Sequence, residues 1–315
     1  MFKTKKIIVG ILLLGMLAGG AGCGGKQTPQ ANQPPQKEQL AGMIQIKGSD
    51  SEVNVVQSMV EKFMAIEPNV AIAVTGGGSG AGIAALINKQ TDIANSSRAM
   101  KGEEIDQAKA NGVDPVGIVF AMDGLALIIN ETNPVSELTI DQVGAIYRGE
   151  ITNWKEVGGP DLQISMYGRQ SNSGTFVFFR EFVVKGNYSD RKKEMNGTAQ
   201  IVEGVKQDKA GIGYVGIGYA VEKGGEGKVV SGLKVLNLAA EAGKTAYSPL
   251  EMKNIVDGYY PLVRPLYQFI NGKPTGAIKA FIEFELSEEG QAIVVENGFY
   301  PVTDEWQAHN ENYLK

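Results

Sequence analysis

Three times in this chain, a run short enough for a strand ends in a turn of small residues and reopens with apolar residues at helical spacing. Met43–Ile46 leads into Gly48-Ser-Asp-Ser51 and then Val53, Val56, Val60 and Phe63. Val70–Val74 leads into the run Gly76–Gly82 and a helix expected over Ile83–Asn88. Ile164–Tyr167 leads through Arg169–Gly174 into an apolar helix expected over Thr175–Val184. Strand, tight turn and helix in repeated succession argue for an α/β chain whose parallel strands are flanked by helices.

The turns also carry a chemistry. A helix start presents backbone N–H groups without intrahelical partners and about half a positive charge. Small residues let an anion approach those amides, and Ser or Thr hydroxyls add donors. One such turn is ordinary capping. Three in one chain, with Arg169 four residues before Ser173, point to an oxyanion, for which a guanidinium offers a planar fork.

Val116–Ala121 and Leu125–Ile129 read as two strands either side of Asp123-Gly124, and a second βα series follows from Thr139–Tyr147 onward. Gly211–Val215 and Tyr267–Ile270 read as strands, Ala277–Phe284 and Glu288–Val295 as helices. Two βα lobes crossed by the chain near 120 and 263 fit this order: 43–121 with 263–315 as one, 122–262 as the other. The 315 residues suffice for two such cores.

The N-terminus stands apart. Lys3, Lys5 and Lys6 precede an apolar stretch, Ile7–Ala18, which is too short for a membrane span of about 20 residues and reads as a signal peptide over 1–22. Its removal takes 30 basic residues to 27 against 35 acidic ones, so the net charge moves from −5 to −8. Cys23, the only cysteine, follows small residues that resemble a bacterial lipobox, with Gly20 where a Leu usually stands. It is the expected lipidation site, and 23–42, rich in Gly, Gln and Pro, the expected flexible tether.

Other classes fit poorly. The acidic balance, without a basic patch bearing interleaved aromatics, speaks against nucleic acid. Gly80–Ala85 formally matches a dinucleotide fingerprint, with Glu103 and Glu104 about 20 residues on, but so glycine-rich a run matches by chance. A serine hydrolase would need a base, and the only histidine, His309, lies in the polar stretch Gln307–Asn312 and reads as an exposed tail residue. With one His and one Cys, no metal site or cofactor is expected. Trp154 and the pair Tyr259-Tyr260 read as packing residues, and Arg98 as an exposed loop cation.

The stretches IKGSDSEVNVVQ, TGGGSGAGIAALINKQTDIANSSRAM, FAMDGLALIIN, IYRGEITNWKEVGG, GRQSNSGTFVFF, GIGYVGIGYA and GYYPLVRPLYQFI, in this order, resemble the periplasmic phosphate-binding protein family, the substrate-binding lipoproteins of phosphate ABC transporters. The resemblance implies a two-lobed type II periplasmic-binding-protein fold, each lobe a mixed sheet flanked by helices, with the ligand in the cleft. It implies non-catalytic capture of inorganic phosphate by a monomer outside the cytoplasm. That monomer would be anchored to the membrane through Cys23 and would deliver to the transporter's membrane subunits. Carried over by position, the ligand residues are Ser51, the Glu52 amide, Ser79 and Ser97 from one lobe, and Arg169, Ser173, Gly174 and Thr175 from the other.

This sequence departs from the family twice. Well-known members have an Asp, which accepts the ligand's proton, where Ser97 aligns, and another two residues after the Arg, here Ser171. That leaves sulfate, molybdate or tungstate as alternative ligands, and a phosphate-ester hydrolase as a more distant one. Asp50 and Asp123 are the candidate proton acceptors.

Overall fold

The computed structural model describes residues 40–225 and 227–315. The first part of the chain runs β1 (Gly42–Gly48), α1 (Val53–Ile66), β2 (Val70–Thr75), α2 (Ser79–Ile87), β3 (Ile93–Ser96), α3 (Gly102–Ala110) and β4 (Pro115–Asn130). There follow β5 (Glu137–Thr139), α4 (Ile140–Arg148), β6 (Ser165–Arg169), α5 (Gly174–Phe179), β7 (Lys193–Met195), α6 (Thr198–Gln207) and β8 (Gly211–Gly216). The remainder is β9 (Leu233–Val235), β10 (Asn237–Ala239), β11 (Ala246–Tyr247), α7 (Met252–Val256), β12 (Val263–Asn271), α8 (Gly276–Leu286), α9 (Glu288–Glu296) and α10 (Asp304–Leu314).

The main sheet follows the order β2-β1-β3-β12-β4-β8-β6-β7, with β9 also on β4, and β11-β10-β5 form a small second sheet. The strands linked by βα units pair in parallel: β1 with β2 and β3, and β6 with β7 and β8. β12 and β4 enter antiparallel between these two groups, so the sheet is mixed. β4 joins the halves. Its first part, Pro115–Gly124, pairs with β12, and its second, Leu125–Ile129, with β8. From Ile118 onward every residue of it is buried, which is why its sequence is apolar without alternation.

Local signals account for much of this. In α1 the buried residues are Val55, Val56, Met59, Val60 and Phe63, one stripe of a 3.6-residue period. α4 opens on a reciprocal capping box between Thr139 and Gln142 and closes at Gly149 in the left-handed conformation, φ 81°. Trp154 is a packing residue, fully buried, with its indole N–H donating to the Ala210 carbonyl at 2.9 Å. Tyr260 is buried, whereas Tyr259 is half exposed.

Several expectations need correction. The two strands around Asp123-Gly124 are one 16-residue strand, because Asp123 has a charged partner directly across the ladder and can stay inside. The tether ends before 42: Gly42 already pairs in β1, and Leu40 packs against the core. The helix after Gly76–Gly82 starts at Ser79, not Ile83. The helix over Thr175–Val184 changes at Arg180 into a π turn that brings both Val183 and Val184 to the buried side with Phe179. His309 is not an exposed tail residue. It lies half buried on α10, packs edge-on against Trp306, and has Nε2 3.1 Å from the Gly117 carbonyl oxygen. Nor is Arg98 an exposed cation: its side chain is 9% exposed and forks onto Glu104 at 2.6 and 2.8 Å.

Candidate functional site

The turns after β1, β2, β3 and β6 meet at the carboxyl ends of their strands, the usual place for a ligand in an open α/β sheet. There the hydroxyls of Ser51, Thr175, Ser97 and Ser79 form one continuous chain. Ser51 Oγ is 2.9 Å from Thr175 Oγ1, Thr175 Oγ1 is 3.4 Å from Ser97 Oγ, and Ser97 Oγ is 3.4 Å from Ser79 Oγ. The Ser97 amide donates to Ser79 Oγ at 3.2 Å. All four side chains are buried, as are Arg169 and Ser173. The structure thus brings together four of the five hydroxyl-bearing residues named from sequence, Ser173 being the exception.

The rest are less uniform. Ser173 caps α5, its Oγ accepting from the Phe176 amide at 3.4 Å. Gly174 and Thr175 are the first two residues of that helix, so their amides have no intrahelical acceptor. Gly174 is required by proximity: a Cβ there would lie 2.3 Å from Ser79 Oγ and 2.7 Å from Ser97 Oγ. The Glu52 amide is turned onto the Ser49 carbonyl at 3.3 Å, and its carboxyl is wholly buried. Both of its carboxyl oxygens lack a hydrogen-bond partner among the described residues. Burial pushes this carboxyl well above the usual carboxylate range; Ser49, Arg264 and the Ser96 backbone, all close enough to favour the charge, do not offset it.

Arg169 does not present an open fork. Its Nε donates to Gln170 Oε1 at 3.2 Å and its Nη1 to Thr198 Oγ1 at 3.0 Å. Nη2 donates to the Asn196 carbonyl at 3.1 Å and pairs with Asp50. Of five N–H donors, one on Nη1 is left for a ligand. The main chain of Arg169 is held as well, its amide donating to the Tyr214 hydroxyl at 3.1 Å and its carbonyl accepting from Lys192 Nζ at 2.9 Å. Burial pushes the Tyr214 hydroxyl up to about 12, so it remains a neutral acceptor for that amide.

The two sides are shut on each other. Asn172, in the turn after β6, accepts from the Gly80 amide and donates to the Gly77 carbonyl, both at 2.9 Å. Gly78 adopts φ 92°, and its Cβ position lies 3.0 Å from the Asn172 carbonyl, so only glycine fits there. Tyr219 donates to the Asp50 carbonyl at 2.6 Å; burial first, then the Asp50 charge, raise that hydroxyl to about 12 and keep it a donor.

Both candidate proton acceptors are already engaged. Asp123 takes Arg264 Nε and Nη2 on Oδ2 at 2.9 and 2.7 Å, and the Ile217 amide on Oδ1 at 3.0 Å. Asp50 takes the Gly77 amide on Oδ1 at 3.0 Å and Arg169 on Oδ2. Sequence reasoning missed Thr198, the first residue of the unexpected α6, and the Asn196 carbonyl just before that helix; it saw Tyr214 only as part of a strand and Tyr219 only within a stretch that carries the family resemblance.

A mixed sheet in two halves, with helix starts and hydroxyls converging between them, defines a solute-binding protein of the periplasmic type. Residues 28–289 match the PBP superfamily domain. The phosphate-binding protein PstS of Staphylococcus haemolyticus is 32% identical over 292 positions, covering 90% of this chain and 89% of that protein. PstS of Pseudomonas aeruginosa is 28% identical over 318 positions, covering 95% of each. Among solved structures, a substrate-binding protein from Clostridium perfringens, assigned to a phosphate ABC transporter and holding phosphate, superposes with a TM-score of 0.73. It is 31% identical and covers 83% of this chain and all of that one. An ABC-type phosphate transport receptor from Vibrio cholerae gives a TM-score of 0.63 at 29% identity, covering 82% of this chain and all of its own. This chain belongs to the PBP superfamily and, within it, to the PstS-like phosphate-binding proteins.

Proposed function

We propose that this protein captures inorganic phosphate outside the cytoplasm and hands it to the membrane subunits of an ABC transporter, with no chemistry on the ligand. The observation that carries this reading is the buried chain of four hydroxyls, Ser51, Thr175, Ser97 and Ser79, closed against the starts of α2 and α5 beside Arg169. A tetrahedral anion entering there replaces neutral hydroxyl–hydroxyl contacts by charge-assisted ones, which are roughly twice as strong. Binding therefore favours the shut arrangement of the two halves. The moving units are 43–121 with 263–315 against 122–262, the β4 and β12 crossings serving as hinge.

Lipid attachment at Cys23 belongs to this reading and lies outside the described residues. Its test is fractionation: Cys23→Ser should move the protein from the membrane to the soluble extracytoplasmic fraction. For the ligand, titration calorimetry with phosphate, sulfate, molybdate and tungstate should give phosphate the tightest binding. Preference for another oxyanion overturns the phosphate assignment, and turnover of a phosphate ester overturns the non-catalytic one.

A further inference from the structure

The cation of the anion site is held from both sides of the cleft. Thr198, Asn196 and Gln170 take Arg169 from its own half of the sheet, and Asp50 takes it from the turn after β1. Position 171, two residues beyond the arginine, is a serine and brings no charge. Asp50 stands next to Ser51, the first of the four hydroxyls, so on the phosphate reading its charge lies beside the bound anion as well as on Arg169. Its side chain is 18% exposed against 1% for Arg169, and the Gly77 amide and the Tyr219 hydroxyl fix the turn that carries it. Each carboxylate oxygen already accepts one hydrogen bond and keeps a further lone pair.

We propose that Asp50 is the specificity-determining residue of this site: by pairing with Arg169 across the cleft it cancels that charge where the anion binds. The fixed charge facing the ligand is then near zero, and the anion is held by hydroxyls, amides and the one remaining Nη1–H. Such a surface penalises charge that the ligand cannot shed. Phosphate at neutral pH carries one or two protons, and a serine or threonine hydroxyl accepts as readily as it donates, so its O–H groups find partners. Sulfate has no proton to offer and brings two full charges beside a carboxylate, which disfavours it. The neutral hydroxyl of Ser97 can then stand at the family's usual acceptor position, because discrimination has moved to Asp50.

This inference rests on the phosphate reading, and the experiment separates the two. Wild type, Asp50→Asn and Asp50→Glu are titrated with phosphate and with sulfate at neutral pH, with thermal melts as a folding control. Wild type should prefer phosphate; a wild type that prefers sulfate, or binds neither, overturns both readings. Given that preference, Asp50→Asn should reduce the phosphate-to-sulfate ratio at least tenfold, while Asp50→Glu, which keeps the charge, should retain most of it. A ratio in Asp50→Asn within twofold of wild type overturns the role of Asp50 and leaves the phosphate reading intact. Should Asp50→Asn not melt cooperatively, Arg169→Gln decides the matter with the opposite sign. Removing the cation leaves Asp50 uncancelled, so both anions weaken and the ratio rises; an equal or lower ratio overturns the proposal.

Discussion

Arg169 and Arg264 are each 1% exposed, and each meets an aspartate, yet the two pairs are built differently. Arg264 and Asp123 are direct cross-strand partners on β12 and β4, with side chains 2% and 0% exposed. The guanidinium also donates to the Ser97 carbonyl at 3.3 Å and sits 5.4 Å from the centre of the Phe178 ring. Every group in that pair is anchored on the two strands that join the halves. The Arg169–Asp50 pair instead links a strand end in one half to a turn in the other, and its aspartate stays partly open to water. A pair on a continuous ladder keeps its partners whether the cleft is open or shut. On the proposed opening of the cleft, a pair across it is lost, so the same chemistry enters the binding equilibrium.

The comparison breaks first at Asp123. Replacing it with Ala leaves Arg264 buried and unpaired, which should cost about 3–5 kcal/mol of stability, read as a lower urea midpoint. Loss below about 1 kcal/mol would mean that the hinge pair is not fixed. A double change to Asp123→Leu with Arg264→Met should recover most of that loss, since apolar side chains can replace a buried pair.

At Arg169 the order of effects should reverse. Arg169→Ala should weaken phosphate binding by about 2–5 kcal/mol in calorimetry, while the ligand-free melting point moves less than in Asp123→Ala, because Asp50 can turn to solvent. Equal effects on stability in the two variants would erase the distinction drawn here. Gly174→Ala should act next, by sterics rather than charge. Its methyl group meets Ser79 Oγ and Ser97 Oγ only when the halves close, so affinity should fall by about 1–3 kcal/mol with the melting point of the ligand-free chain unchanged. Full affinity in that variant would mean that phosphate is held in a wider cleft.

The same contrast explains what the sequence could reveal. Ser51, Ser79 and Thr175 are legible because each belongs to a glycine-serine turn after a strand, a local pattern with a chemical meaning, whereas Ser97 comes only with the family resemblance. β4 and β12 are legible as apolar runs, but the pairing of Asp123 with Arg264 is not. It joins residues 141 positions apart whose charges, seen singly, argue against a buried strand. α3 and α10 escape because they bury little: α3 only Ala108 and α10 only Asn310. α6, whose stripe of Ile201, Val202 and Val205 is short, brings Thr198 to Arg169. Asp50 reads as a turn residue because its partner lies 119 positions away, on the far side of the cleft.

The hinge side carries one more buried feature, and it sets the smallest predicted effect. Glu52, which feels both Arg264 and Asp123, and Glu285, which feels Glu52, are wholly buried, and burial pushes both carboxyls well above their usual range. Glu285 Oε1 accepts from Gln268 Nε2 at 3.0 Å, but Glu285 Oε2, Gln268 Oε1 and both Glu52 oxygens find no partner among the described residues. Four oxygens without donors are best served by protons on the acids themselves. The folded chain then keeps protons that the unfolded chain releases above about pH 4.5. Stability should therefore be fully present below that pH and decline as pH rises toward the folded-state value, by up to about 1.4 kcal/mol per pH unit for each retained proton. Glu285→Gln keeps an oxygen for Gln268 and adds an amide donor without needing a proton. Urea midpoints measured from pH 5 to pH 8 should fall less steeply in this variant than in wild type. An identical slope would mean that Glu285 is ionised in the folded state, and that this side of the molecule, like the cleft, holds a charge in balance.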